Sequence, residues 1–244
     1  MPPEIDWTTW RPASCLPRCF HEADHGGAVR QPANTFSSLA FALVGLAVVV
    51  AARRSRVSAP RVVRPALATS PLLAALFAFS LVAIGLGSAF FHASLTFVGQ
   101  TADVTGMYLL ATFTIVHARM AHDRPGRARA LRLYALLNGA LLVLLIVAPA
   151  ARRWLFALLL AVGFALEWQH TRRTARSPTR LLRSLGVLLL AFAVWVVDVL
   201  AWPLPPTHWL QGHALWHVLG AYATWELWRH YNAPSAHADR AATA

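Results

Sequence analysis

The chain has 244 residues, 57% of them hydrophobic and only 13% charged, with a formal charge of +12. A soluble domain carries roughly 25% charged residues; here the apolar residues run in long blocks with the charges between them, which excludes an ordinary soluble domain and points to a membrane protein. All 22 basic residues are Arg, clustered between apolar blocks without interleaved aromatic platforms, so no nucleic-acid partner is expected; the absence of Lys also excludes a retinal Schiff base.

Residues 1–35 are polar with some aromatics and are expected to cover the outer face. No cleavable signal peptide is expected, because the first apolar block begins near Phe36. Cys15 and Cys19 are too few for a Cys-rich zinc module; a disulfide and free thiols are both open. A spanning helix needs about 20 mostly apolar residues. The candidate blocks are Phe36–Ala52, Ser70–Ala93, Thr101–Met120, Leu131–Ala148, Trp154–Trp168, Leu182–Ala201 and Trp209–Trp228, the fifth being the shortest. The connections leave no room for a soluble domain. The expected fold is therefore an all-α seven-helix membrane bundle over residues 36–230, with a disordered tail over 231–244.

Arg placement orients the bundle. The loop after the first block carries Arg53, Arg54, Arg56, Arg61 and Arg64. The loop after the third carries Arg124, Arg127 and Arg129, and the loop after the fifth Arg172, Arg173, Arg176 and Arg180. The intervening loops are poor in Arg: Ser94–Gln100 and Trp202–Gly212 have none, and the loop after the fourth block has only Arg152 and Arg153. The positive-inside rule places the N-terminus outside and the C-terminus in the cytoplasm. Exclusive use of Arg fits GC-rich bacterial coding and hence the inner (cell) membrane.

Ionisable residues inside such blocks are costly and therefore informative. His213 and His217 stand four apart at the start of the seventh block, on one helix face, a spacing that suits two ligands of a metal such as zinc. His92 ends the second block, with Ser88 four residues before it and Asp103 eleven beyond. Opposite helix directions bring His92, His213, His217 and Asp103 to one depth at the outer side. Asp198, near the outer end of the sixth block, is expected to accept the second ring N–H of a ligating His. Glu167 and Glu226 fall at the inner ends of their helices, close to the interface, and no chemical role is expected of them. His117, His122, His170 and His230 fall near the same border and are expected to be solvated. Gly85 and Gly87 read as close-packing positions, and Trp202, Trp209 and Trp228 as interfacial anchors.

Ser88-x3-His92, Asp103 and His213-x3-His217 together resemble the active-site pattern of the alkaline ceramidase family, within a group of seven-helix membrane hydrolases and receptors. Gln31-Pro32-Ala33-Asn34-Thr35-Phe36-Ser37 and Trp195-x2-Asp198 resemble further signatures of that family. The resemblance implies zinc held by His92, His213 and His217, with Ser88 and Asp103 lining the reacting centre. It also implies a calcium site in the N-terminal segment. There the chain departs: Gln31 stands in place of a Glu and Pro17 in place of an Asp, leaving Glu22 and Asp24 as candidate calcium ligands.

Three neutral imidazoles would leave zinc with an open position, where water ionises near pH 7 instead of about 16. The resulting hydroxide could attack an amide carbonyl, with Ser88 stabilising the oxyanion and Asp103 moving the proton to the leaving amine. The expected substrate is a membrane lipid: ceramide or a related N-acyl amide, cleaved to a fatty acid and a sphingoid-type base. The alternatives are a lipid esterase or phospholipase on the same scaffold, and a receptor-like protein without turnover.

Overall fold

A computed structural model describes residues 5–17, 19–58, 67, 70–123 and 126–233. Seven long helices follow one another along the chain: α1 (Pro32–Ser58), α2 (Pro71–Ser94), α3 (Phe97–Asp123), α4 (Arg127–Val147), α5 (Arg152–Arg173), α6 (Thr179–Ala201) and α7 (Gly212–Tyr231). Among the described residues there is no strand, only an isolated bridge between Pro12 and Thr96. Five stretches, corresponding to α1, α2, α4, α5 and α6, are long and apolar enough to cross a bilayer. The other two helices fall short because α3 carries Gln100, Thr101, Asp103 and Thr105, and α7 carries His213, His217, Glu226 and His230. A helix enclosed by its neighbours tolerates polar groups that lipid would not, and α7 is buried along most of its length.

The starts of α1 and α2 have clear local causes. α1 begins at Pro32 and not at the apolar run near Phe36, so the boundary expected at residue 35 moves back. Proline suits the first helical position because no donor is needed there. The Glu22 carboxylate accepts the next two backbone N–H groups, Ala33 at 2.7 Å and Asn34 at 2.8 Å. The polar Asn34 and Thr35 are therefore helical and buried, which an apolar-run criterion does not see. α2 opens with Ser70 as its cap and Pro71 behind it. It closes at Leu95, whose left-handed backbone (φ 50°) costs a non-glycine residue about 1 kcal/mol and turns the chain sharply toward α3.

The helices form an open ring in the order α6, α7, α1, α2, α3, α5, with α4 packed outside on α3. α5 and α6, the two ends of the ring, are not a closely packed pair. Gly87 makes the α2–α3 contact possible: a Cβ there would lie 2.8 Å from the Ala102 backbone, closer than real side chains come.

The N-terminal segment is laced across one end of the ring. Ala13 N–H donates to Leu95 O at 3.0 Å, Ala23 N–H to Pro206 O at 2.9 Å and Gln31 N–H to His92 O at 3.0 Å. Cys15 and Cys19 are joined as a disulfide, which resolves the alternative left open by the sequence.

At the opposite end, the expectation of solvated histidines is corrected. His117, Glu167, His230 and Glu226 are all buried. His117 Nδ1 lies 2.8 Å from Glu167 Oε1, Thr171 pairs with His230 Nε2 at 3.1 Å, and Arg229 donates to Glu226 at 2.9 Å. These side chains from α3, α5 and α7 pair with one another at this end of the bundle. His122's side chain, Arg61, Arg64, Arg124 and the tail beyond Ala233 lie outside the described residues. Trp228 is likewise no interfacial anchor. It is 4% exposed and packs beside Phe77 in the core, whereas Trp209 is 76% exposed, as an anchor should be.

Candidate metal centre

Beneath the N-terminal segment, α2 and α7 bring His92, His213 and His217 together. One ring nitrogen of each lies within 4.8 Å of the others, and all three residues are buried. The ring centroids are 5.0 Å apart for His92–His213, 5.1 Å for His92–His217 and 4.5 Å for His213–His217. The grouping follows from geometry alone. His213 and His217 are one turn apart on α7, and His92 comes from the antiparallel end of α2.

Hydrogen bonds fix two of the three rings, those of His92 and His217. Gln31 Nε2 donates to the Glu22 carbonyl at 2.8 Å, so its Oε1 faces His92 Nδ1, also at 2.8 Å. A carbonyl oxygen only accepts; Nδ1 therefore carries the proton, and Nε2 keeps its lone pair. His92 Nε2 is buried without a partner, as is His213 Nδ1. Ser37 uses its proton on Asn34 O at 3.1 Å and therefore accepts from His217 Nδ1 at 2.9 Å, leaving His217 Nε2 as the basic nitrogen. Buried, unpartnered imidazole nitrogens are costly unless something binds them. The donor set of three neutral imidazoles fits a borderline-soft divalent metal.

Of the other residues expected at the site, Ser88 is 2% exposed, accepts from Ser38 Oγ at 3.0 Å and sits 3.3 Å from His217 Nε2. It also lies beside the Asp103 carboxylate, which enters from the first turns of α3. Asp198 is buried at the site, but in a different role from the one expected. Its carboxylate accepts backbone N–H groups, from His213 at 3.0 Å and His21 at 3.2 Å, and not an imidazole proton. A carboxylate from α6 thereby caps α7 and sets where His213 and His217 begin. Gly212 allows this approach, since a Cβ there would meet Asp198 Cβ at 2.9 Å.

Sequence reasoning placed Gln31 and Ser37 in a signature without giving them these roles, and it missed Phe20 altogether. Phe20 stacks on His213 with centroids 4.0 Å apart and forms a roof over the rings. The signal available for Gln31 and Ser37 was their position on either side of the α1 start, at the depth already assigned to the histidines.

Glu22 and Asp24 occupy other positions. Both Glu22 oxygens cap α1, and burial pushes its carboxyl pKa up against the pull of those N–H groups. Asp24 pairs with Arg30, whose hydrogen bonds hold its carboxyl below the usual range. As placed they fit a helix cap and an ion pair and not a pair of cation ligands, so no step is derived through calcium.

An elongated cavity of about 530 Å³ leads away from the rings, with His213, His217, Ser88 and Asp103 in its wall. Toward the middle of the bundle it is lined by Met107, Leu110, Leu160, Phe164, Leu188 and Leu227. It lies between the α3–α5 and α6–α7 pairs, where the ring is open. The dimensions and apolar lining suit an acyl chain. A family model described as Ceramidase matches residues 28–238, most of the chain and all of the helices. No curated protein matches it.

Proposed function

Because the chain belongs to the ceramidase family, we propose that it is a zinc-dependent membrane amidohydrolase that cleaves the N-acyl bond of ceramide or a related lipid. The products are a fatty acid and a sphingoid-type base. The observation that carries this reading is the set of three buried imidazoles whose nitrogens converge within 4.8 Å of one another at the head of an apolar cavity. His92, His213 and His217 would hold the ion. Zinc in that position would polarise the amide carbonyl and bring the acidity of water toward neutral pH.

The chain's own groups do the rest. The Ser88 hydroxyl donates to the carbonyl oxygen as it gains charge. Asp103 takes the proton of the attacking water and returns it to the amine nitrogen as the C–N bond breaks, so the proton count balances. Gln31 and Ser37 hold two of the rings in the ligating tautomer. Phe20 and the laced segment keep bulk water off the reacting atoms. The apolar cavity receives the acyl chain, whose burial contributes about 0.8 kcal/mol per CH₂.

We further read the capped end of the bundle as the outer side and the C-terminus as cytoplasmic, supported by the Arg-rich alternate loops. The direct test of the reaction is metal analysis of detergent-purified protein together with assay of matched lipid amides and esters. Near-stoichiometric zinc and chelator-sensitive release of fatty acid from the amide are expected, with loss of at least about 100-fold in His213→Ala. Full amide turnover in His213→Ala would overturn the mechanism, and turnover of esters alone would make the protein a lipid esterase.

A further inference from the structure

The end of the cavity nearest the N-terminal segment differs from the rest. Its polar wall is formed by Gln100, Arg152 and Arg153 beside Asp103, which is the only acidic residue in the lining among the described residues. Gln100 is fully buried and lies three residues before Asp103, on the same face of α3. Its Oε1 accepts from Ser14 N at 2.9 Å and Ser14 Oγ at 3.0 Å. That pair of bonds turns the Nε2 amide group the other way, where it is buried without a partner. An unmet buried donor is costly, so the position asks for an acceptor.

The two arginines point to the same chemistry. Arg152 is tied in place by one nitrogen, donating to Ser14 Oγ at 3.1 Å and Pro149 O at 2.7 Å. Arg153 lies 5.2 Å above the Trp195 ring and has no carboxylate partner among the described residues. Arg152, Ser14 and Gln100 thus form one connected run of hydrogen bonds. Its unused groups, with the Arg153 guanidinium, are all donors and mostly cationic. The head of a simple ceramide is a neutral hydroxyl and offers these guanidinium groups no charge to pair with. A phosphate, sulfonate or carboxylate offers the acceptors and charge that guanidinium groups bind in bidentate fashion.

We propose that this end of the cavity is an oxyanion subsite, and that the lipid cleaved carries an anionic head group close to its N-acyl bond. This rests on the amidohydrolase reading for the reaction but not for the binding. Gln100 Nε2, Arg152 and Arg153 grip the head group, Asp103 and Ser88 then face the amide, and the acyl chain runs into the apolar part of the cavity. Arg153 is the specificity-determining residue, because it alone of the three makes no hydrogen bond to protein among the described residues.

The test compares an N-acylsphinganine with its 1-phosphate, of the same acyl chain, using purified holoenzyme in nonionic micelles. The phosphate should be favoured by about tenfold or more in kcat/KM, with the difference in KM. In Arg153→Gln the ratio should fall toward unity, and in Arg153→Lys most of it should return. A binding arm is independent of turnover: displacement of a fluorescent fatty amide by dodecyl phosphate, dodecanol and inorganic phosphate. Dodecyl phosphate should displace it at about tenfold lower concentration than dodecanol, and inorganic phosphate at the same concentration should not compete. Equal or better turnover of the neutral lipid, equal potency of dodecanol, or a phosphate preference unchanged in a folded Arg153→Gln would each overturn the proposal. That last outcome would assign the preference to groups other than Arg153. If Arg153→Gln does not fold, the wild-type comparisons of the two lipids and of the two dodecyl probes decide. If no lipid amide is cleaved while dodecyl phosphate still outcompetes dodecanol, the reaction assigned to the protein is wrong and the oxyanion subsite stands.

Discussion

The Gln31 amide donates to the Glu22 carbonyl, and its oxygen is thereby committed to His92 Nδ1. Ring orientation is part of metal affinity, because a ligating imidazole whose distal N–H is unheld loses both its tautomer and its aim. Gln31→Leu is expected to weaken metal binding about 10–100-fold, read by titration against a competing chelator. Gln31→Glu keeps an acceptor at the same place and should retain most of the affinity; equal affinity in wild type and Gln31→Leu would remove Gln31 from this role. The histidines themselves were legible, since i, i+4 spacing and helix direction determine their depth. Gln31's partner was not, because the contact depends on how the segment folds back over α2. The Asp24–Arg30 pair makes a second prediction at this scale. Arg30 holds the Asp24 carboxyl below its ordinary value, so its stabilisation is present above about pH 4 and is lost as pH falls through the lower folded value. The pair is partly exposed, so the contribution is about 0.2–1 kcal/mol. Asp24→Asn should lower Tm slightly at pH 7, and the gap from wild type should close in acid. A gap that widens as pH falls would contradict the assignment.

Elements were read from the sequence with uneven success, and the errors share one cause. Apolar runs locate the parts of helices that face lipid or the core, so α2 and α6 were found nearly end to end. α1 starts four residues before its apolar run because a carboxylate from outside the helix caps it. α5 extends to Arg152 and Arg173, beyond both ends of its apolar stretch, because interfacial Arg residues remain helical. α3 and α7 are polar where they carry the site, and buried polar residues on them pair with one another instead of ending the helix. The capping of α1 has a measurable consequence. Both Glu22 oxygens are occupied by backbone N–H groups, and Asp24 is occupied by Arg30. Anything that binds only the folded state raises its Tm, so millimolar calcium and a calcium-selective chelator are expected to leave Tm within about 1 °C of each other. A clear calcium-dependent rise in a differential scan would show that the segment rearranges around the ion.

For the whole molecule, charge and hydropathy revealed the class, and topology made the site. The ring order α6, α7, α1, α2, α3, α5 cannot be read from local sequence, because it depends on which faces meet. It is this order that sets α2 beside α3 and α7 beside α6, so that Ser88 meets Asp103 and Asp198 meets His213. The orientation proposed from Arg placement predicts that a reporter fused after Tyr231 is active only in the cytoplasm, and one fused before Ile5 only on the other side. The reverse pattern would place the histidines at the cytoplasmic surface. The lacing of residues 11–31 over the helix ends also has a consequence for biogenesis. His92 gains its orienting acceptor, and His213 its aromatic roof, only from residues that come before the first helix. A chain whose helices are inserted but whose leading segment is still undocked therefore holds its three ligands untuned. On the proposed metal site, loading would be a late maturation step, keeping a nascent hydrolase idle until its own beginning has folded back to complete it.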